Sequence, residues 1–246
     1  DMVNFARALP ALREVVESDL DRDDMSREHV LACAVRLLDR GFFRVGCEDY
    51  AVRNETYGLA TMKKRHVRLH GDMLLFDYPS KHGKQRVQAV VDAPVAEVVR
   101  RLKARRGGGD DLLAYKLGRR WMDLRSDDIN EYLKETTGQG ISAKDFRTWA
   151  ATVLAGVALA VSGGAPATKT GRKRAIARAV KEVAYYLGNT PAVARASYLD
   201  PRVFDRFRAG QSIGHALPLA GANGDAPAIQ GPIEDAVLEL LTGESR

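Results

Sequence analysis

Cysteine is nearly absent from this chain of 246 residues: only Cys33 and Cys47 occur, and they do not form a CxxC pair. A disulfide framework and a structural zinc site are therefore excluded as the basis of the fold. No apolar run approaches the roughly 20 residues that a membrane-spanning helix needs. The first residues, Asp1-Met2-Val3-Asn4-Phe5, have neither the basic patch nor the apolar core of an export signal, so a cytoplasmic protein is expected. Aromatic residues are few, at 7%. Charge is not scarce, but hydrophobic content of 45% against 28% charged excludes wholesale disorder.

Net charge is +6, and it is unevenly spread. Residues 1–30 hold four Arg and eight acids, and residues 211–246 hold one Arg and five acids. The middle of the chain, 31–210, is left with 33 basic and 19 acidic residues, a surplus of +14. Such a concentration is the electrostatic footprint of a polyanion binder.

Periodicity predicts helices at 3–19 and 26–40, the second capped by Ser26. A polar, irregular stretch follows at 44–61. The period then changes to that of a β-meander over about 66–91, with strands at 67–69, 73–78 and 87–91 joined by His70-Gly71-Asp72 and a turn at 80–84. Asp92 and Pro94 open a helix to about 105, ending in Arg105-Arg106-Gly107-Gly108-Gly109. From 126 onward helices are expected: one opened by Ser126, a buried one from Ser142 to about 161, a basic one at 172–187 after a Gly/Pro/Thr loop at 162–171, and short ones after Thr190-Pro191 and Asp200-Pro201. Residues 209–231 read as a linker. Pro232 then begins an amphipathic helix over 232–242, with Ile233, Ala236, Val237, Leu240 and Leu241 on one face. The expected class is mainly α with a small antiparallel sheet, an α+β domain over 1–208.

Three motif matches fail on context. Gly210-Gln211-Ser212-Ile213-Gly214 fits the nucleophile-elbow pattern but lacks the strand that must precede the serine. His66 and His70, placed in one strand, stand about 13 Å apart and cannot share an ion. Gly163 to Thr170 lacks the second glycine before Lys169 that a phosphate-binding loop needs.

Four segments place reactive residues at junctions between elements: Phe43-Arg44-Val45-Gly46, Pro79-Ser80-Lys81-His82-Gly83, Lys144-Asp145-Phe146-Arg147-Thr148-Trp149, and Leu187-Gly188-Asn189-Thr190-Pro191 leading to Tyr198. Between the first two run Tyr50, Asn54-Glu55-Thr56, Tyr57-Gly58-Leu59, Thr61 and Lys63-Lys64-Arg65-His66-Val67. In this order the segments resemble the catalytic domain of the type IB DNA topoisomerases, of the compact poxvirus and bacterial kind, over residues 3–208.

The resemblance implies the DNA breaking-rejoining fold and a site in which Arg44 and Arg147 stabilise the phosphorane, Lys81 is the general acid and Tyr198 the nucleophile that links to the DNA 3′-phosphate. Lys144 would assist Lys81 or hold a phosphate. Asn189 stands where many members carry histidine; an amide donates the same hydrogen bond but cannot titrate. Tyr50 and Thr61 would approach the DNA. Lys63, Lys64, Arg65, Arg105, Arg106, Arg119, Arg120, Arg172, Lys173 and Arg174 would neutralise phosphates. Double-stranded DNA is the implied partner of a monomer, associated with the nucleoid. Neither ATP nor a metal is implied, since the phosphotyrosyl link conserves the bond energy. A β-rich domain before the first helix, which clasps the duplex in this branch, is expected to be absent from this chain. Two rivals remain: a tyrosine recombinase, whose histidine three residues before the second arginine is Lys144 here, and a DNA-binding domain without catalysis.

Overall fold

The structure, a computed structural model, describes residues 1–162, 168–221 and 227–244, apart from the side chains of Tyr50 and His82. It divides into two compact units, Ala8–Lys144 and a second made of Asp1–Arg7 with Asp145–Arg246. The division falls within helix α1 (Met2–Leu20) and at the start of helix α6 (Ala143–Val161).

In the unit Ala8–Lys144, α2 (Arg27–Arg40) is the central element. Ser26 caps it by accepting from the His29 N–H, and nine of its residues from His29 to Leu38 are buried. A helix apolar on nearly every side must be covered on every side, and α2 packs against α4 (Ala93–Ala104), α5 (Ser126–Thr137) and strand β4 (Ala114–Leu117). The stretch 44–61, expected to be irregular, contains helix α3 (Glu48–Asn54) and a 3-10 turn at Leu59–Thr61. Seven residues are too few for a periodic signal, which is why α3 is invisible in the sequence.

The meander is present as expected: β1 (Val67–His70), β2 (Met73–Ser80) and β3 (Lys84–Val91) pair antiparallel in the order β1-β2-β3. On β2, residues Leu74, Phe76, Tyr78 and Ser80 are buried in alternation, so one face of the sheet is core. Phe43 closes that face, edge-on to Phe76 at 4.8 Å and stacked on Tyr78 at 6.4 Å. His66 lies in a 3-10 turn before β1 rather than in the strand assigned to it. A second hairpin, β4 with β5 (Arg120–Asp123), escaped the sequence-level assignment. Its signal was there: Gly118-Arg119 is a two-residue loop with Gly118 at φ +60°, between segments of matching length.

In the other unit, α6 is followed by α7 (Lys169–Leu187), which starts three residues earlier than expected because Thr168 caps it through the Gly171 N–H. Residues 163–167 of the expected loop lie outside the described residues. Helices α8 (Pro191–Ser197) and α9 (Pro201–Arg208) pack on α7. Within the stretch expected as a linker, Gly214–Leu219 form a 3-10 helix with Ile213 and Ala216 buried; residues 222–226 lie outside the described residues. Helix α10 (Pro232–Thr242) packs on α9 and on that 3-10 helix. The approach to α6 is close: a Cβ on Gly156 would lie 3.1 Å from Val237 and 3.5 Å from Ile213. Trp149 Nε1 on α6 donates to Glu234 Oε1 on α10 at 2.8 Å.

Candidate active site

Arg44 follows the end of α2, half-buried, on a segment held by two backbone bonds: the Leu59 N–H donates to the Arg44 carbonyl at 2.8 Å and the Ala60 N–H to the Val45 carbonyl at 2.7 Å. Gly58 is obligatory for this approach, since a Cβ there would fall 2.4 Å from the Gly46 nitrogen. Thr61, expected near DNA, is buried, and its hydroxyl accepts from the Gly58 N–H at 3.0 Å, so it serves as the latch of this turn. Tyr50 sits in α3, its side chain outside the described part of the structure.

Lys81 is exposed at the tip of the β2–β3 hairpin, in a 3-10 turn over Lys81–Gly83. Directly beneath, Ser80 is buried and its hydroxyl donates to the Lys84 carbonyl at 2.9 Å, which fixes the base of the tip. Arg86, which no sequence motif singled out, stands opposite Tyr78 in the β2–β3 register and so shares its core-facing side. Its Nε donates to Gln88 Oε1 at 2.9 Å. Burial, reinforced by the like charge of Arg44, holds its pKa below the ordinary arginine value despite the Tyr78 hydroxyl. Arg86 is therefore a second guanidinium in the neighbourhood of Arg44. The signal in the sequence was an arginine at a core-facing position of a strand.

The other cluster belongs to the unit carrying residues 145–246. Arg147, in the first turns of α6, is 3% exposed; Nη2 donates to the Leu187 carbonyl at 3.0 Å, and its guanidinium carbon lies 5.1 Å from the centroid of the Tyr198 ring. Leu187 ends α7, where Gly188 at φ +65° turns the chain and the Asn189 N–H returns to the Ala184 carbonyl at 2.9 Å. Thr190 then caps α8 through the Val193 N–H, with Pro191 as its first residue. Tyr198 is the C-cap of α8, half-buried, its N–H on the Ala194 carbonyl at 3.0 Å. The chain is pinned immediately beyond it: Leu199 is buried and the Asp200 N–H donates to the Thr152 hydroxyl at 3.2 Å. Burial pushes the Asp200 carboxyl up, but the hydrogen bonds from Arg202 outweigh it and hold the group below its ordinary range. The structure thus brings Arg147, Asn189 and Tyr198 together around the end of α7 and α8, and places Arg44 and Lys81 in the other unit with Arg86. Lys144 is exposed in the first turn of α6.

The cations proposed for phosphate contact differ in what holds them. Arg105 is 8% exposed, and its guanidinium is taken up by the carbonyls of Leu102, Leu112, Gly109 and Asp111, so it braces a loop and is not placed to meet a phosphate. Lys63 is paired with Asp111 at 2.6 Å. Lys64 is half-buried, whereas Arg65, Arg106, Arg119, Arg120, Lys173 and Arg174 are exposed and Arg172 half-buried. His66 is buried, accepts at Nδ1 from the Lys63 N–H at 3.0 Å, and is held neutral by burial and then by Arg65 and Lys63, its pKa pushed down to about 4. Among the described residues no three His, Cys, Asp or Glu side chains are grouped to hold a metal ion, and no helix is long and apolar enough to cross a membrane.

In the unit carrying residues 145–246, a half-buried tyrosine hydroxyl beside a buried guanidinium pairs a nucleophile with a donor suited to phosphate oxygens. Comparison with known families agrees: the model of the eukaryotic DNA topoisomerase I catalytic core matches residues 1–209, and the chain belongs to this family. Among individual proteins it is similar to DNA topoisomerase 1B of Acanthamoeba polyphaga mimivirus, 25% identical over 205 residues, which is 80% of this chain and 60% of that protein. The chain thus spans about 60% of the length of this viral relative.

Proposed function

We propose that the chain is the catalytic part of a type IB DNA topoisomerase that relaxes supercoiled duplex DNA through a transient 3′-phosphotyrosyl link. The observation that carries the reading is the Arg147 guanidinium, buried and oriented by the Leu187 carbonyl, against the ring of Tyr198 within the residues that match the family. The Tyr198 hydroxyl loses its proton to solvent as its oxygen attacks the phosphorus, and the bond to the 5′ oxygen breaks. The non-bridging oxygens gain charge in the transition state, which Arg147, Arg44 and the Asn189 amide stabilise; one such donor contributes about 3 kcal/mol. Lys81 gives a proton to the departing 5′ oxygen, a role that contributes about 10²–10⁴ in rate. The free end rotates about the intact strand, supercoil strain drives the rotation, and the reverse attack reseals the backbone. Because the phosphotyrosyl bond stores the energy of the one broken, the cycle consumes no ATP. The enzyme acts as a monomer on DNA in the cytoplasm.

The test is covalent capture. Wild-type protein mixed with duplex DNA and quenched in denaturant should yield a protein–DNA adduct, and Tyr198→Phe should yield none while still binding the duplex. Adduct from the Phe variant would assign the nucleophile elsewhere. Binding without adduct from the wild type would leave a DNA-binding domain.

A further inference from the structure

Helices α7, α8 and α9 line an open, solvent-facing cavity of about 470 Å³ that the chemistry above does not use. Its lining is Lys169, Arg172, Lys173, Ile176, Ala177, Arg195 and Arg208. Five of the seven are cationic, and none is acidic. On α7 the five contributors fall at i, i+3, i+4, i+7 and i+8, a single helix face. Ile176 gives that face a buried apolar floor while the basic residues rim it.

The rim is built rather than incidental. Arg172 Nη1 donates to the Arg208 carbonyl, which ties the first turns of α7 to the end of α9. The Arg195 guanidinium lies 5.2 Å over the Phe204 ring, which holds it against α9. Asp205 pairs with Arg208 at 2.6 Å, so one acid serves the cluster from outside the lining. Like charges gathered around a concave surface repel one another and raise the local potential, and a multiply charged anion relieves that cost. Arginine is also the side chain suited to bidentate phosphate contact. A single phosphate would engage two or three such donors; five donors spread over three helices suit successive phosphates.

We propose that this cavity binds a run of consecutive phosphates, as presented by a nucleic-acid backbone or by an inorganic polyphosphate. Arg195 lies on α8 one turn before Tyr198, and the Tyr198 N–H closes that turn on Ala194. A backbone seated here would thus be held by the same short helix that carries the tyrosine. Arg195 and Arg208 join Arg172 and Lys173 as the phosphate-binding side chains, with Lys169 at the entrance.

Two measurements separate the possible sources. In the first, affinity for a labelled duplex is followed by fluorescence anisotropy from 50 to 200 mM salt for the parent chain and for the variant combining Arg172→Gln, Arg195→Gln and Arg208→Gln. Each phosphate that the variant leaves unneutralised should lower the log–log salt slope by about 0.9, and the three substitutions together should weaken binding at least about tenfold. Arg178→Gln, exposed on α7 and outside the lining, should behave as the parent. In the second, tripolyphosphate should raise the melting midpoint of the parent and not of the triple variant. A salt slope that falls identifies a DNA backbone as the ligand; an unchanged slope with no stabilisation of the variant by tripolyphosphate identifies a free polyphosphate. If the variant matches the parent in both, the proposal is overturned. Arg→Lys at the same three positions keeps the charge and should retain most of the slope, which guards against a variant that simply unfolds. The duplex arm rests on reading the chain as a DNA enzyme, whereas the tripolyphosphate arm does not. Adduct formation persisting at saturating protein would leave that reading standing if the cavity failed.

Discussion

Lys81 and His66 show how differently two basic side chains of one sheet region are used. Lys81 stands exposed at a hairpin tip whose base is locked by Ser80, an arrangement suited to a group that must reach an incoming phosphodiester. If it protonates the leaving oxygen, Lys81→Ala should slow cleavage of ordinary DNA by about 10²–10⁴. The defect should largely vanish on DNA whose bridging 5′ oxygen is sulfur, which departs without a proton. Equal defects in single-turnover cleavage of both substrates would make Lys81 a phosphate-binding residue instead. His66, by contrast, is buried and neutral, with a folded pKa of about 4 against an ordinary value near 6.5. A depressed folded value means the unfolded chain binds the proton first, so stability is complete above about pH 6.5 and is lost as pH falls toward 4. About 2 kcal/mol should disappear between pH 7 and pH 5 in urea titrations. His66→Gln, which keeps an acceptor for the Lys63 N–H but does not titrate, should flatten that part of the profile.

At the scale of elements, the end of the chain gives the clearest case. The stripe on α10 demands a partner, and the structure supplies it in α9, the 3-10 helix at Gly214–Leu219 and the glycine-thinned surface of α6. Ile233 is fully buried there. Ile233→Ala should cost about 2–5 kcal/mol in chemical denaturation, the range for emptying a packed core position. A loss below about 0.5 kcal/mol would mean that α10 is an appendage rather than part of the core. The junction of α7 with α8 is equally determinate. Gly188 must be left-handed to turn the chain, Thr190 and Pro191 must start the next helix, and Tyr198 inherits its place from both.

For the whole molecule, the uneven distribution of charge has a structural counterpart. Acids of the first 30 residues pair with arginines of their own unit, as Asp23 does with Arg101 and Asp24 with Arg22, while Arg27 pairs with Asp128 and Arg13, on α1, with Asp39 on α2. Basic residues of the middle stretch divide into those spent on the fold, such as Arg105, and those left exposed, such as Arg119 and Arg120 at the β4–β5 hairpin. Only the exposed fraction is available to phosphates. The +14 surplus therefore overstates the charge that any one duplex contact can use.

What the sequence determined by itself is what short-range chemistry controls. The meander, the capped helices and the Gly-Asn-Thr-Pro turn before Tyr198 are each set by periodicity, capping and turn residues within a few positions. The ordered motifs were enough to assign the family. Tertiary structure decided which side chains are consumed. Thr61 became a latch on Gly58, and Arg105 a brace for carbonyls three to seven residues away, because the folded turns bring those backbone groups onto them, which the residue pattern does not show. Arg86 came close to Arg44, and Arg195 and Arg208 came to share a cavity with α7, because strand register and helix packing brought together residues that no local window contains.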